Sequence, residues 1–154
     1  MGEVVQVFSN PASGRHSRDR IAALTRALEA HGAKVLLSEC GSGIPQIAPE
    51  ATHVCAAGGD GTVRHVGDAV VHQGRAVAMS IYPAGTINLL AREAGYPHDA
   101  ESFAARVLGQ GARRHHHAVA MGDSHFFACA SVGPDSLAVS QVSPRLKRAI
   151  TGAR

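Results

Sequence analysis

Short apolar runs alternate with longer amphipathic ones along most of this chain. Residues 3–8, "EVVQVF", form a compact run of strand type, and "SNPASG" ends it with Pro11 and Gly14. From 16 to 30, Ile21, Leu24, Ala27 and Leu28 recur at helical spacing, and Gly32 stops the helix. "AKVLLS" (33–38) predicts a second strand, "ECGSGIPQIAPE" (39–50) a loop and "THVCAA" (52–57) a third strand. A helix follows over 63–72, and "AVAMSIY" (76–82) is the fourth strand. A helix over 86–94 ends at Gly95 before Pro97, and Asp99 caps another that runs to Leu108 before Gly109 and Gly111.

Strands that alternate with helices predict an α/β fold: an open, mainly parallel sheet with helices on both faces. The near-continuous apolar strands suit burial on both sides. After Gly111 the rhythm changes. "RRHHHAVAM" (113–121) and "HFFACAS" (125–131) flank "GDS" (122–124), which predicts an antiparallel hairpin with a three-residue turn. A short basic helix is expected over 144–150. The natural division is therefore residues 1–110, an α/β domain, and residues 111–154, two strands and a helix that begin something new with no completed second layer.

Composition narrows the class. Apolar residues make up 45% and charged residues 18% of the 154, a globular balance and not a disordered one. Aromatics are only 4% and tryptophan is absent, so the core must rely on Ala, Val, Leu and Ile. The formal charge of +3 suits anionic ligands, but no basic run points to nucleic acid. No stretch approaches the ~20 apolar residues of a membrane span, and the first residues lack a basic-then-apolar secretory pattern. Cys40, Cys55 and Cys129 are far apart and form no CxxC pair, which suits reduced, mostly buried thiols in a cytoplasmic protein.

Three unusual segments fall after predicted strands: "NPASG" (10–14), "GGDGT" (58–62) and "PAGTIN" (83–88). In an open parallel sheet, ligands gather at the carboxyl ends of the strands, so topology puts all three on one edge. Gly58, Gly59 and Gly61 are expected to permit positive φ and close approach of a ligand to the main chain. Free N–H groups at a helix start suit a phosphate. Asp60 would repel bare phosphate, and fits if it stands beside Mg²⁺ or accepts a hydroxyl proton. Thr62 and Thr86 can cap helices and donate to phosphate oxygen, and Asn10, Ser13 and Asn88 add neutral polar contacts. A plain strand-to-helix turn accounts for "NPASG" or "PAGT" taken singly. It does not need the three glycines of "GGDGT", nor the coincidence of all three loops.

"GGDGT", with "NPASG" upstream and "PAGTINLLAREAG" (83–95) downstream, resembles the diacylglycerol kinase catalytic-domain family, which includes bacterial lipid kinases and sphingosine kinases. The likeness runs from about Val4 to the carboxyl terminus. It takes in "FFACASVGPDSLAVSQVSPRLKR" (126–148), similar to the start of the family's second domain. "GGDGT" alone is also shared with NAD kinases and phosphofructokinases. The resemblance implies an α/β nucleotide-binding domain, a β-rich second domain and an active site between them, with residues 111–154 the incomplete start of that second domain. It implies transfer of the ATP γ-phosphate, with Mg²⁺, to a lipid hydroxyl of diacylglycerol or sphingoid type. Carried over, Asn10 and Ser13 would contact nucleotide phosphates, and Gly58, Gly59, Gly61 and Thr62 would form the phosphate loop. Gly85, Thr86 and Asn88 would line the nucleotide side of the cleft. Asp60 resembles the essential carboxylate, and Asp135 in "GPDS" an acidic position facing the lipid head group.

This sequence departs from the family pattern in three places. The usual "GGDGTxxEV" has Glu where His65 stands, and an imidazole does not replace a carboxylate toward a hard cation. "RRHHHAV" stands where the family often has Asp on the strand crossing to the second domain. The chain also stops about half way through a typical two-domain member, so little or no lipid kinase activity is expected of these residues alone. The remaining alternatives are another kinase of the wider group, such as one acting on NAD, and a non-catalytic nucleotide-binding module.

Two further features have plainer readings. His115 and His117 would share a strand face and could attract zinc, but no third ligand is placed by the sequence, and a solvated strand surface accounts for them. Arg145, Lys147 and Arg148 with Leu146 and Ile150 form a small amphipathic helix suited to peripheral membrane contact, although a simple exposed helix fits as well. The unpaired hairpin edge predicts a homodimer formed by strand addition.

Overall fold

The computed structural model describes residues 2–13, 15–41, 43–109 and 113–128. Four strands, β1 (Val4–Ser9), β2 (Lys34–Glu39), β3 (His53–Gly58) and β4 (Ala78–Pro83), form one parallel sheet in the order β2-β1-β3-β4. The central register sets Val7 opposite both Leu37 and Cys55, and Cys55 opposite Ser80. Side chains alternate across the pleat. Val5, Val7, Cys55, Ala57 and Tyr82 pack with α1 (Arg18–Ala30) and α4 (Ala100–Leu108) on one face. Phe8, Val54 and Ala56 pack with α2 (Asp60–His72) and α3 (Leu89–Glu93) on the other. The expected doubly covered parallel sheet is what forms.

Local chemistry fixes the elements. Ser17 caps α1 by accepting from Arg20 N, and Asp99 caps α4 by accepting from Ser102 N at 2.8 Å. Gly32 ends α1 with a φ of +89°, a left-handed conformation that a side chain would strain. Leu24 and Leu28 are fully buried, each contributing about 1.5–3 kcal/mol by removal from water. Of the buried polar side chains in the sheet, one reaches across to a loop. Gln6 donates to Ser38 Oγ and Gln46 O and accepts from Ala48 N, so it pins the long loop between β2 and β3.

Several boundaries move. α2 begins at Asp60, three residues before the apolar periodicity starts, with Gly59 as its cap. Its first turn carries no large apolar side chain and is therefore silent in the pattern. α3 is only five residues long, because residues 85–88 close on themselves as a turn and do not join the helix. The hairpin of β5 (Val119–Met121) and β6 (Ser124–Phe126) turns through two residues, since Ser124 already pairs with Met121. Gly122 takes φ +60° at that turn. His115 to His117 precede β5 and are exposed, so no strand face groups them. Cys129, Asp135 and the basic segment 144–150 lie outside the described residues.

Candidate active site at the carboxyl edge of the sheet

β1 and β3 are adjacent, and the chain turns outward from them in opposite directions, to β2 on one side and β4 on the other. The crevice beyond their carboxyl ends is the switch point at which open α/β sheets bind ligands. The three glycine-bearing or proline-bearing loops meet there. Asn10 Nδ2 donates to Thr62 Oγ1 at 3.1 Å, joining the first loop to α2. Ala84 N donates to Gly58 O, and Arg15 N donates to Ala84 O, both at 3.1 Å, joining all three segments.

The glycines serve contact, not handedness. Gly58, Gly59, Gly61 and Gly85 are absent from the positive-φ residues, which corrects the expectation of left-handed backbone in this loop. A Cβ on Gly58 would fall 2.5 Å from Thr62 Cβ. A Cβ on Gly85 would fall 2.8 Å from Asn88 Oδ1 and 2.9 Å from Gly59 N. Two loops thus press main chain against main chain. Gly61 meets nothing within 4 Å and is open to solvent, so close approach from outside is possible there alone.

Each predicted side chain has a definite place. Asn10 Oδ1 accepts from Ala12 N, so its amide shapes the loop as well as reaching Thr62. Thr62 is 4% exposed and is the third residue of α2, not its cap. Asn88 is 3% exposed and left-handed at φ +53°. Its Oδ1 accepts from Gly85 N and its Nδ2 donates to Gly85 O, both at 2.8 Å, which commits the amide to holding the loop. Thr86 is exposed and caps nothing. Gly61 and Thr86 are exposed, and Asp60 and Ser13 are half-buried. With Gly59 as cap, no side chain among the described residues bonds the first-turn amides of α2.

Asp60 is the first residue of α2, and its Oδ1 accepts from Leu90 N at 3.4 Å. A cleft of about 350 Å³ opens beside it. Ile87, Leu89 and Leu90 line one side and Phe126 and Phe127 of the hairpin the other, with Arg64 a helical turn beyond Asp60. The carboxylate therefore stands between a backbone-built edge and an apolar hollow. This arrangement can hold a phosphate chain on one side and an alkyl chain on the other.

Two residues carry structure that sequence reasoning missed. Arg20 donates to Arg15 O, Pro83 O and His98 O and stacks over the Tyr82 ring at 5.1 Å. It clamps the first and third loops together, and nothing in the sequence sets it apart from Arg15, Arg18 or Arg26. His65, in place of the family's Glu, turns to the β2–β3 loop, where its Nε2 meets Gly43 O at 2.8 Å. Burial pushes the Cys55 thiol up to about 12, so it stays protonated and serves packing. Among the described residues, no group of three or more His, Cys, Asp or Glu could hold a metal ion, and no helix is long and apolar enough to cross a membrane.

A parallel sheet with its loops gathered round one carboxylate defines an open α/β fold with a site at its carboxyl edge. The sequence model of the diacylglycerol kinase catalytic domain matches residues 4–121, and the chain belongs to that family. It is 34% identical over 104 residues to a probable lipid kinase YegS-like protein of Pseudomonas syringae pathovar tomato, covering 66% of this chain and 32% of that protein. A protein of the same description from pathovar syringae is 33% identical over 125 residues, covering 81% of this chain and 38% of its own length. The chain thus spans about a third of the length of these relatives. The fold is similar to a diacylglycerol kinase structure from Bacillus anthracis, with a TM-score of 0.61 at 21% identity, covering 80% of this chain and 45% of that one.

Proposed function

We propose that this chain is the nucleotide-binding part of an ATP-dependent lipid kinase, with the nucleotide phosphates on the glycine edge and a lipid hydroxyl at Asp60. The observation that carries this reading is the position of Asp60, between uncapped amides of α2 and the apolar cleft of Ile87, Leu89 and Phe126. The amides of Asp60, Gly61 and Thr62, with the hydroxyls of Ser13 and Thr86, suit phosphate oxygens. Asn10, Thr62 and Asn88 hold the loops in shape. Asp60 orients the acceptor hydroxyl and takes its proton as the oxygen attacks the γ-phosphorus. The bond from phosphorus to the β-phosphate oxygen breaks in line, and ADP leaves.

A single carboxylate beside a phosphate site suits Mg²⁺, which takes one or two carboxylates together with substrate phosphates. In that case Asp60 would hold the ion in place of taking the hydroxyl proton, and the ion would neutralise charge on the phosphates. The apolar rim, with Ile87 64% and Met121 65% exposed, suits peripheral contact with a lipid surface. The free thiols of Cys40 and Cys55 suit the cytoplasm. The hairpin opens a second domain from residue 111, where Asp135 would face the head group, and its edge suits a homodimer.

Labelled ATP offered with diacylglycerol, a sphingoid base and NAD tests the reading in the natural gene product. Phosphorylation of a lipid is expected. Phosphorylation of NAD alone would move the protein to the NAD kinase branch. ATP binding without any turnover would favour the non-catalytic module, the reading to which His65 lends weight, since its imidazole faces Gly43 and supplies no carboxylate.

A further inference from the structure

The middle of α2 holds a contact that phosphate binding does not explain. Gly67 is buried inside this 13-residue helix, where glycine is disfavoured relative to alanine. A Cβ there would fall 2.5 Å from Phe127 Cζ and 2.6 Å from Cε2. The helix therefore carries a notch, and an aromatic ring of the hairpin occupies it. The next residue holds the same hairpin by polar contacts. Asp68 Oδ1 accepts from His125 N at 2.8 Å and faces His125 Nδ1 at 2.9 Å. Both side chains are largely buried, at 18% and 15% exposure. His72, one turn on, sets its ring edge-on to His125 with centroids 5.5 Å apart, and its Nδ1 meets Asp68 O.

We infer that Gly67 and Asp68 form a seat that fixes the hairpin on α2, and that Asp68 is a positioning residue for the lipid acceptor. The inference rests on the lipid kinase reading of the cleft. Phe126 and Phe127 make up the far wall of that cleft and Asp60 its reactive corner. Both ends are attached to one rigid helix. Asp60 and Asp68 are eight residues apart, a rise of about 12 Å. Because the helix does not stretch, the seat sets the width available to the acceptor without touching the phosphate edge. A backbone N–H and a ring nitrogen converging on one carboxylate oxygen make this a charge-assisted anchor, stronger than a neutral contact.

The test compares Asp68→Ala, Asp68→Asn and Gly67→Ala with the wild type by two readouts. The first is hydrogen exchange of the His125 amide, which needs no activity. The second is the KM for a short-chain diacylglycerol and for ATP in the natural gene product. Asp68→Ala should speed exchange at His125 and raise the acceptor KM about tenfold, with the ATP KM unchanged. Asp68→Asn, whose Oδ1 still accepts from the amide, should recover most of both. Gly67→Ala should displace Phe127 and raise the acceptor KM even though alanine is the better helix former. It serves as the second probe if Asp68→Ala folds poorly. Unchanged exchange at His125 would remove the seat. Faster exchange with an unchanged acceptor KM, or equal rises in both KM values, would remove the positioning role. A wild-type protein that phosphorylates no lipid would overturn the lipid reading and the positioning role with it, while the exchange data would still decide whether the seat exists.

Discussion

The two walls that meet at Asp60 are made of different material. On the glycine side, Gly58, Gly59 and Gly85 bring main chains together, and the side chains of Thr62 and Asn88 turn inward to hold them. On the apolar side, the lining is Ile87, Leu89, Phe126 and Phe127, side chains that stand on separate segments of the chain. A wall of backbone reads features common to every nucleotide, because peptide N–H groups do not vary with sequence. A wall of side chains can change its shape one residue at a time. The first tolerates little substitution, and in the proposed lipid kinase the second is where acceptor preference can shift without loss of the fold.

The largest expected effect falls on the residue both walls share. Asp60→Asn should cost about 10²–10⁴ in turnover, the range of general acid–base catalysis, while ATP affinity measured by calorimetry without Mg²⁺ stays close to wild type. Turnover near wild type would take Asp60 out of the chemistry and dissolve the comparison.

The second prediction concerns stability alone. His53 is buried at the start of β3, with Nε2 bonded to Ser80 Oγ at 2.9 Å and Nδ1 without a partner among the described residues. Burial lowers its pKa from 6.5 to about 4. The unfolded chain thus binds a proton below pH 6.5 that the folded chain refuses until about pH 4. Stability is full above that window and falls through it by up to about 3 kcal/mol. Urea unfolding across this range should show the slope in wild type and a reduced one in His53→Gln. Parallel slopes would reject it. Because His53 lies at the opposite end of β3 from the site, ATP affinity should be the same in both proteins.

Next comes the backbone wall. Gly85→Ala should cost about 1–3 kcal/mol through overpacking against Gly59 and Asn88, and should lower ATP affinity as the loops part. Calorimetry showing equal ATP affinity would mean that the Gly59–Gly85 contact does not shape the phosphate edge. The smallest effect is expected at the side-chain wall. Ile87→Ser should leave stability within about 0.5 kcal/mol and ATP affinity unchanged, but raise the acceptor KM about threefold to tenfold. An effect on ATP instead would assign Ile87 to the nucleotide side.

The sheet was legible because periodicity reports burial directly. Val5, Val7, Val54 and Cys55 announce two-sided strands, and Leu24 and Leu28 announce the buried stripe of α1. Element starts that lack large apolar side chains were not legible, hence the early beginning of α2 at Asp60 and the late one of α3 at Leu89. At the site, the three loops and Asp60 could be read from glycine spacing and strand ends. The reason for the glycines could not, because the contact between residues 59 and 85 is a long-range one. Arg20 and Asp68 escaped for the same reason. Their partners are carbonyls of distant loops in one case and His125 in the other, 57 residues away.

The Gly59–Gly85 contact also limits how this protein can change over generations. Most damaging substitutions can be rescued by trimming a neighbour. Here the neighbour is another glycine, and it has no side chain to trim. A Cβ on Gly59 would lie 3.2 Å from Gly85 Cα, and one on Gly85 would lie 2.9 Å from Gly59 N. The two positions are therefore coupled without being able to compensate for one another. A library that randomises both should return glycine at both, and its survivors should show no correlated replacements at these sites. Adaptation to a new substrate is left to run through the opposite side of the cleft.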